Sequence, residues 1–146
     1  MNAFPKSTDA ALFVIRTMLA VVFIFHGAQK LFGVFDGPGI AGMAGFNESL
    51  GIPLPTLSAY MAGSAEFFGG IVLLLGTGTR VAAIPMIFTM LVASFMANSG
   101  FDIQKGGMEY SLTLAAILLA LAIGGPGEWT IAKMFVKDRR PAAQAS

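Results

Sequence analysis

Four long apolar segments, separated by stretches rich in glycine, proline or polar residues, dominate the chain. They run over about residues 10–31, 57–75, 80–97 and 108–123. At 1.5 Å per residue, the first segment extends about 33 Å, enough to cross a hydrocarbon core of roughly 30 Å. We therefore predict an all-α integral membrane protein, a bundle of four membrane-spanning helices.

The connection between the first two spans, residues 32–56, is long and dense in glycine and proline. Within it, apolar residues recur at roughly helical spacing, which predicts a short surface helix over about residues 40–50. A loop of this length in a small protein usually has a function. It could cover the mouth of the bundle or form a partner surface.

The last part of the chain combines Trp129 with Lys133 and Lys137 over about residues 128–137. Aromatic and basic side chains together favour the membrane interface, so an amphipathic tail is predicted there. We interpret the whole chain, residues 1–146, as one transmembrane domain.

Basic residues outside the spans are distributed unevenly between the two predicted sides. By the positive-inside rule, the side with more lysine and arginine is cytoplasmic. We therefore predict a multi-pass protein of the inner membrane with both termini in the cytoplasm. The richer side has Lys6, Arg80, Lys133, Lys137, Arg139 and Arg140, and the opposite side has Lys30 and Lys105.

Composition excludes several classes of function. Charged residues make up 12% of the chain, about half of the roughly 25% found in soluble domains. A net charge of +1 without a long basic run argues against nucleic-acid binding. The absence of cysteine excludes disulfides, iron–sulfur clusters and thiolate zinc sites, and a single histidine excludes bis-histidine haem within one chain. We predict no metal site, so electrons in any redox role would belong to an organic cofactor or a partner.

Ionisable residues inside the spans are the candidate functional groups, because a charge in hydrocarbon costs a few kcal/mol or more unless it faces a partner or water. Arg16, His26 and Lys30 share one arc of the first span. We expect this arc to face the interior of the bundle.

Two carboxylates could meet those basic groups. Glu66 lies near the middle of the second span, and Glu109, followed by Tyr110, opens the fourth. Small residues on the face of Glu66 indicate close helix packing there. We expect Glu66 to pair with Arg16 or His26, and Glu109 to pair with Lys30 or Lys105. The small residues are Ala62, Gly63, Gly69 and Gly70.

Two interpretations of these polar residues stay open. They could be structural ion pairs that hold the helices in register. They could instead form a pocket for an amphipathic ligand or for protons, a role that intramembrane ionisable residues often have. In the second case, His26, Glu66 and Glu109 are the candidates for proton exchange.

Four short motifs occur in order along the chain: HG-x-x-K at 26–30, E-x-x-GG at 66–70, GG-x-EY at 106–110 and GPG at 125–127. In this combination the chain resembles the DoxX family of small four-helix membrane proteins, from about Leu12 to Gly127. The segment after the GPG motif departs from the usual family ending. The resemblance implies association with respiratory or sulfur-redox complexes that contain quinone-linked oxidoreductases, and its recurrent polar positions correspond to Arg16, His26, Lys30, Glu66 and Glu109.

Together these observations predict an accessory subunit of a quinone-linked oxidoreductase in the inner membrane, with an outward-opening pocket for a quinone-like or other amphipathic ligand. A non-catalytic adaptor or assembly factor is the alternative. A small-solute transporter is disfavoured, because four spans enclose little volume unless chains associate. The expected partners are the lipid bilayer, a membrane oxidoreductase subunit and further copies of this chain. The predicted pocket comprises Arg16, His26, Lys30, Glu66, Glu109 and Tyr110.

Overall fold

The computed structural model describes residues 6–98, 100–131 and 133, and these residues form helices, turns and loops without a strand. A π-helical turn, Ala93–Ala97, continues α4, and a 3-10 turn, Ile103–Lys105, precedes α5. The five α-helices are α1 (Lys6–Phe32), α2 (Gly39–Ser49), α3 (Pro55–Leu75), α4 (Thr79–Val92) and α5 (Glu109–Gly124).

These helices confirm the all-α prediction. The predicted spans correspond to α1, α3, α4 with its π turn, and α5, and the predicted surface helix corresponds to α2. Three helices are long and apolar enough to cross a membrane, whereas α5 is apolar but has 16 residues. At about 24 Å, α5 is shorter than a typical hydrocarbon core, so local thinning of the bilayer would have to accommodate it. The predicted amphipathic tail falls partly outside the described residues, and the single domain over 1–146 stays a prediction.

Helices α1 and α3 pack almost backbone to backbone. A Cβ atom on Gly27 would lie 2.4 Å from the backbone nitrogen of Phe67, and one on Gly70 would lie 2.9 Å from that of Ile24. Any side chain at these positions would force the helices apart. Of the small residues predicted around Glu66, Gly63 and Gly70 lie on the α1–α3 interface, whereas Gly69 packs against Met86 of α4. Glu66 lies between them with no exposed surface.

Different segments of the chain meet at the two ends of the bundle. At one end, called here the cavity end, the last turns of α1 and α4 meet the start of α5 and the loop that precedes it. Helix α2 packs beside α3, where Asn47 Nδ2 donates to Ser58 Oγ at 2.9 Å. At the other end, called the terminal end, the start of α1 meets the end of α3 and residues 127–130.

Candidate functional site

A cavity of about 260 Å³ opens at the cavity end, between α1, α3, α4 and α5. A cavity of about 150 Å³ can hold benzene, and typical small-molecule pockets begin near 300 Å³. The space therefore suits one substituted ring. Its polar lining consists of His26, Lys30, Glu66, Asn98, Tyr110 and Ser111, and its apolar lining includes Phe23, Met90, Ala93, Ile103 and Leu114.

An ion pair between Lys30 and Glu66 lies in the wall of the cavity. Lys30 Nζ donates to Glu66 Oε1, and the two side chains are 22% and 0% exposed. The expectation that Glu66 pairs with Arg16 or His26 was wrong. A Cβ on Gly63 would lie 2.8 Å from Leu31 Cδ2 and 3.4 Å from Lys30 Cβ, so the bare backbone at Gly63 lets this turn of α1 lie close to α3.

The second oxygen of this carboxylate, Glu66 Oε2, is buried and has no hydrogen-bond partner among the described residues. A buried acceptor left unpaired costs about 1–3 kcal/mol, and more when it is charged. Native structures seldom contain such an atom unless water or a ligand satisfies it. Glu66 therefore offers a vacant acceptor beside the cavity.

His26 is held by a relay from the loop after α1. Gln29 Nε2 donates to the carbonyl of Phe35 at 3.0 Å, and Gln29 Oε1 faces His26 Nδ1 at 3.2 Å. Because a carbonyl can only accept, this contact fixes the orientation of the Gln29 amide. His26 Nδ1 must then be the donor, so a neutral imidazole has its lone pair on Nε2. Sequence reasoning did not assign this role to Gln29, although it lies three residues from His26 on the same helix.

The loop that supplies the Phe35 carbonyl is closely fitted to α1. Phe35 has a left-handed backbone, with φ of 54°, and its ring stacks on Phe25 with 4.9 Å between centroids. A Cβ on Gly37 would lie 2.5 Å from Gln29 Cβ. These contacts hold the loop against Gln29 and thereby fix the orientation of His26.

A cluster of hydroxyl and amide groups completes the polar wall between α4 and α5. Ser94 Oγ is 2.8 Å from Ser111 Oγ, and Asn98 Nδ2 donates to the carbonyl of Ala93 at 2.9 Å. The π-helical turn Ala93–Ala97 ends directly before Asn98, and such turns are frequent at functional sites. Sequence reasoning missed the cluster, although Ser94 and Asn98 are four residues apart on one helical face.

Tyr110 closes the cavity from the side of α5. Its ring lies edge-on to that of His26, with 6.5 Å between centroids. The structure thus brings together four of the predicted pocket residues, His26, Lys30, Glu66 and Tyr110, around one cavity.

Glu109 does not line the cavity, contrary to expectation. Its Oε1 accepts from the backbone nitrogen of Ile103 at 3.0 Å and so holds the 3-10 turn before α5. Lys105 lies 3.8 Å from Asp102 instead of pairing with Glu109. Glu109 therefore contributes by supporting the loop that contains Ile103, which does line the cavity.

Arg16 also lies outside the cavity, at the terminal end. Arg16 is 1% exposed, and its guanidinium donates to the carbonyls of Leu73 at 2.8 Å and Trp129 at 2.6 Å. The last carbonyls of a helix lack partners within the helix, and the negative end of the helix dipole favours a cation there. A shared helical arc did not bring Arg16 to the pocket, because ten residues of α1, about 15 Å, separate it from His26.

A second contact at the terminal end was not anticipated. Asp9 is 5% exposed, and its Oδ1 accepts from the backbone nitrogen of Glu128 at 3.0 Å. The preceding residue, Gly127, has a φ of 78°, which favours glycine, and a Cβ there would lie 3.3 Å from Leu12 Cβ. Together with Arg16, Asp9 fixes the segment after the GPG motif to the start of α1.

Comparison with known proteins is consistent with this architecture. The DoxX family model matches residues 11–99. An uncharacterized membrane protein of Mycobacterium tuberculosis is 31% identical, over 90% of this chain and 82% of that protein. The Bacillus subtilis protein named "Putative oxidoreductase CatD" is 30% identical, over 80% and 81%.

An inner membrane protein of Escherichia coli, YqjF, is 29% identical over 90% of this chain and 97% of its own length. No solved structure matches the chain. The matched region contains α1 to α4 and therefore three walls of the cavity, including the Lys30–Glu66 pair. The chain belongs to the DoxX family and is a multi-pass inner membrane protein.

Proposed function

We propose that the cavity binds the headgroup of a quinone-like amphipathic molecule, and that the protein acts as an accessory subunit of a membrane oxidoreductase. The observation that supports this most strongly is the unpartnered Glu66 Oε2 beside a cavity of ring size. A purely structural salt bridge would not require an unpaired carboxylate oxygen in a residue that lines a cavity.

The lining of the cavity has the composition expected of a ring-binding pocket. Phe23, Met90 and Leu114 offer apolar surface for the faces of a ring, while polar groups on the opposite wall can orient its oxygens. The name of CatD supports the class of reaction, an oxidation or reduction, and says nothing of the ligand.

A bound quinone ring supplies paired electron and proton chemistry. The protein's own contribution is to place proton-accepting atoms at the cavity: Glu66 Oε2 on α3 and His26 Nε2 on α1. Lys30 stabilises the carboxylate of Glu66, and Gln29 orients His26. Electron transfer is assigned to a redox group of a partner subunit.

Filling the cavity tests this proposal without changing its polar groups. Ala93 lines the cavity from the π turn, so Ala93→Phe should occupy the space of the ring. Ala116 is exposed on α5, and Ala116→Phe is the matched control. Binding of a short-chain quinone and of its reduced form is measured by titration against the protein in nanodiscs, with empty nanodiscs subtracted.

We expect Ala93→Phe to weaken binding by at least about tenfold, which corresponds to about 1.4 kcal/mol, and Ala116→Phe to leave it unchanged. Equal binding by wild type and both variants would place the ligand elsewhere. Absence of binding to wild type in either redox state would contradict the proposal and favour the adaptor alternative.

A further inference from the structure

We infer that the cavity prefers the reduced, hydroxyl-bearing form of its ring ligand, a hydroquinone, over the oxidised quinone. The inference rests on the proposed function and concerns which redox form the wall recognises. Its basis is a pair of hydrogen-bond acceptors on cavity-lining residues: Glu66 Oε2, which is buried and has no partner among the described residues, and Nε2 of a neutral His26.

Glu66 Oε2 is the first of these acceptors. The side chain has no exposed surface, Oε1 is engaged by Lys30, and Oε2 has no partner among the described residues. A carboxylate in a salt bridge has no proton to donate. A quinone carbonyl also only accepts, so placing one beside Oε2 would leave both oxygens unpaired. A phenolic hydroxyl instead donates a charge-assisted hydrogen bond to Oε2.

His26 provides the second acceptor. Since the carbonyl of Phe35 orients Gln29, and Gln29 Oε1 accepts from Nδ1, the neutral imidazole presents an Nε2 lone pair. Gln29 is therefore a positioning residue: it acts on the ligand through the tautomer of His26. A second hydroxyl of the ligand could donate to Nε2.

The donors of the same wall are already engaged or can reach water. Asn98 Nδ2 donates to the carbonyl of Ala93 at 2.9 Å and to Ser111 Oγ at 3.4 Å, and Ser111 Oγ donates to the carbonyl of Met108 at 3.1 Å. Lys30 retains further N–H groups, but its side chain is 22% exposed, so water can satisfy them. The Tyr110 hydroxyl can donate or accept and does not discriminate between redox forms.

A ligand series on the wild-type protein tests the preference directly. The probes are a decyl-substituted hydroquinone, the corresponding quinone and the 1,4-dimethyl ether of the hydroquinone, titrated anaerobically against the protein in nanodiscs. The ether retains the ring and tail but lacks donors. We expect the hydroquinone to bind at least about tenfold more tightly than the quinone or the ether.

Two variants then assign the preference to a residue. Glu66→Gln places an amide donor near Oε2 and should remove or reverse the preference for the hydroquinone. Glu48→Gln is the matched control, because this carboxylate is exposed on α2 and lies outside the cavity. Gln29→Leu should weaken the preference without abolishing binding, since it releases the His26 tautomer.

If the quinone binds as tightly as the hydroquinone to wild type, the inference is overturned while the proposed function stands. If no member of the series binds, the proposed function fails and the inference with it. The wild-type comparison decides the matter even if Glu66→Gln does not fold.

Discussion

Lys30 compensates the negative charge of the buried Glu66 carboxylate. Removing one partner of a buried ion pair leaves an uncompensated charge and typically costs about 3–5 kcal/mol. We predict that Lys30→Met lowers the free energy of unfolding by that amount. Unfolding in detergent micelles, followed by circular dichroism, provides the measurement.

A double variant distinguishes the buried charge from lost packing. Lys30→Met combined with Glu66→Gln removes both charges, and should recover much of the stability that Lys30→Met loses. Lys105→Met is the control, because its partner Asp102 is exposed and 3.8 Å away, so the loss should stay under about 1 kcal/mol. Equal losses for Lys30→Met and Lys105→Met would contradict the account.

Arg16 was predicted to line the pocket, but its contacts indicate a role in stability alone. Its planar guanidinium reaches the carbonyls of Leu73 and Trp129 together, which a lysine ammonium cannot reproduce. The carbonyl of Leu73 also accepts from the backbone nitrogen of Gly76 at 3.1 Å, so the carbonyl of Trp129 is the one that depends on Arg16. We predict that Arg16→Lys destabilises the protein by about 1–3 kcal/mol, with ring binding unchanged.

Arg80→Lys is the control for Arg16→Lys. Arg80 is exposed and makes one longer contact, 3.3 Å to the carbonyl of Ile123, so its replacement should change the midpoint of thermal unfolding little. Loss of ring binding in Arg16→Lys at a temperature where the protein is folded would show that Arg16 acts at the cavity after all.

Helical periodicity predicted that Arg16, His26 and Lys30 face protein, and each of them does contact other helices or the cavity. It did not predict their partners. The direction in which a side chain leaves its helix can be predicted from the sequence. Its contact partner depends in addition on the depth of the residue along the bundle and on which positions of the neighbouring helix are glycine. Gly63 beside Lys30 and Gly76 beside Arg16 supply that second condition.

The α1–α3 interface is the element-level feature that positions the Lys30–Glu66 pair. We predict that Gly27→Ala destabilises the protein and weakens ring binding, because its new Cβ would meet the backbone of Phe67 at 2.4 Å. Gly45→Ala in α2 is the control, since no atom lies within 4 Å of its Cβ position, and it should be neutral or stabilise by about 0.4–1 kcal/mol.

Thermal unfolding and ring titration of both glycine variants provide the measurements. If Gly27→Ala were as stable as Gly45→Ala, the backbone-to-backbone packing of α1 and α3 would be refuted.

The elements differ in how far sequence could predict them. The α1–α3 interface could be predicted, because Gly63 and Gly70 flank Glu66 at helical spacing. The π turn Ala93–Ala97 could not, because one wider turn barely changes an apolar pattern. This turn contains Ala93 and directly precedes Asn98, two residues that line the cavity, and the polar cluster of α4 and α5 was therefore not predicted.

At the level of the whole molecule, the four-span, all-α architecture could be read from hydropathy, and the orientation in the membrane stays a prediction. The cavity end should face away from the cytoplasm.

Because the chain has no cysteine, one introduced cysteine reports on one site. We predict that Ser49→Cys, exposed on α2, reacts with an impermeant thiol reagent in intact spheroplasts.

Thr77→Cys, exposed in the turn between α3 and α4, is the matched position at the terminal end. It should react only after the membrane is permeabilised. Labelling of Thr77→Cys and protection of Ser49→Cys in intact spheroplasts would reverse the predicted orientation.

The most direct test of the account is to find where a ring ligand contacts the protein in its own membrane. A photoreactive quinone analogue is reduced, added to membranes and activated, and the modified peptides are identified by mass spectrometry. We predict labelling in residues 23–30 and 98–114, lost on adding excess unlabelled hydroquinone and in Ala93→Phe. Labelling spread over the lipid-facing surfaces and insensitive to both competitor and Ala93→Phe would contradict the account.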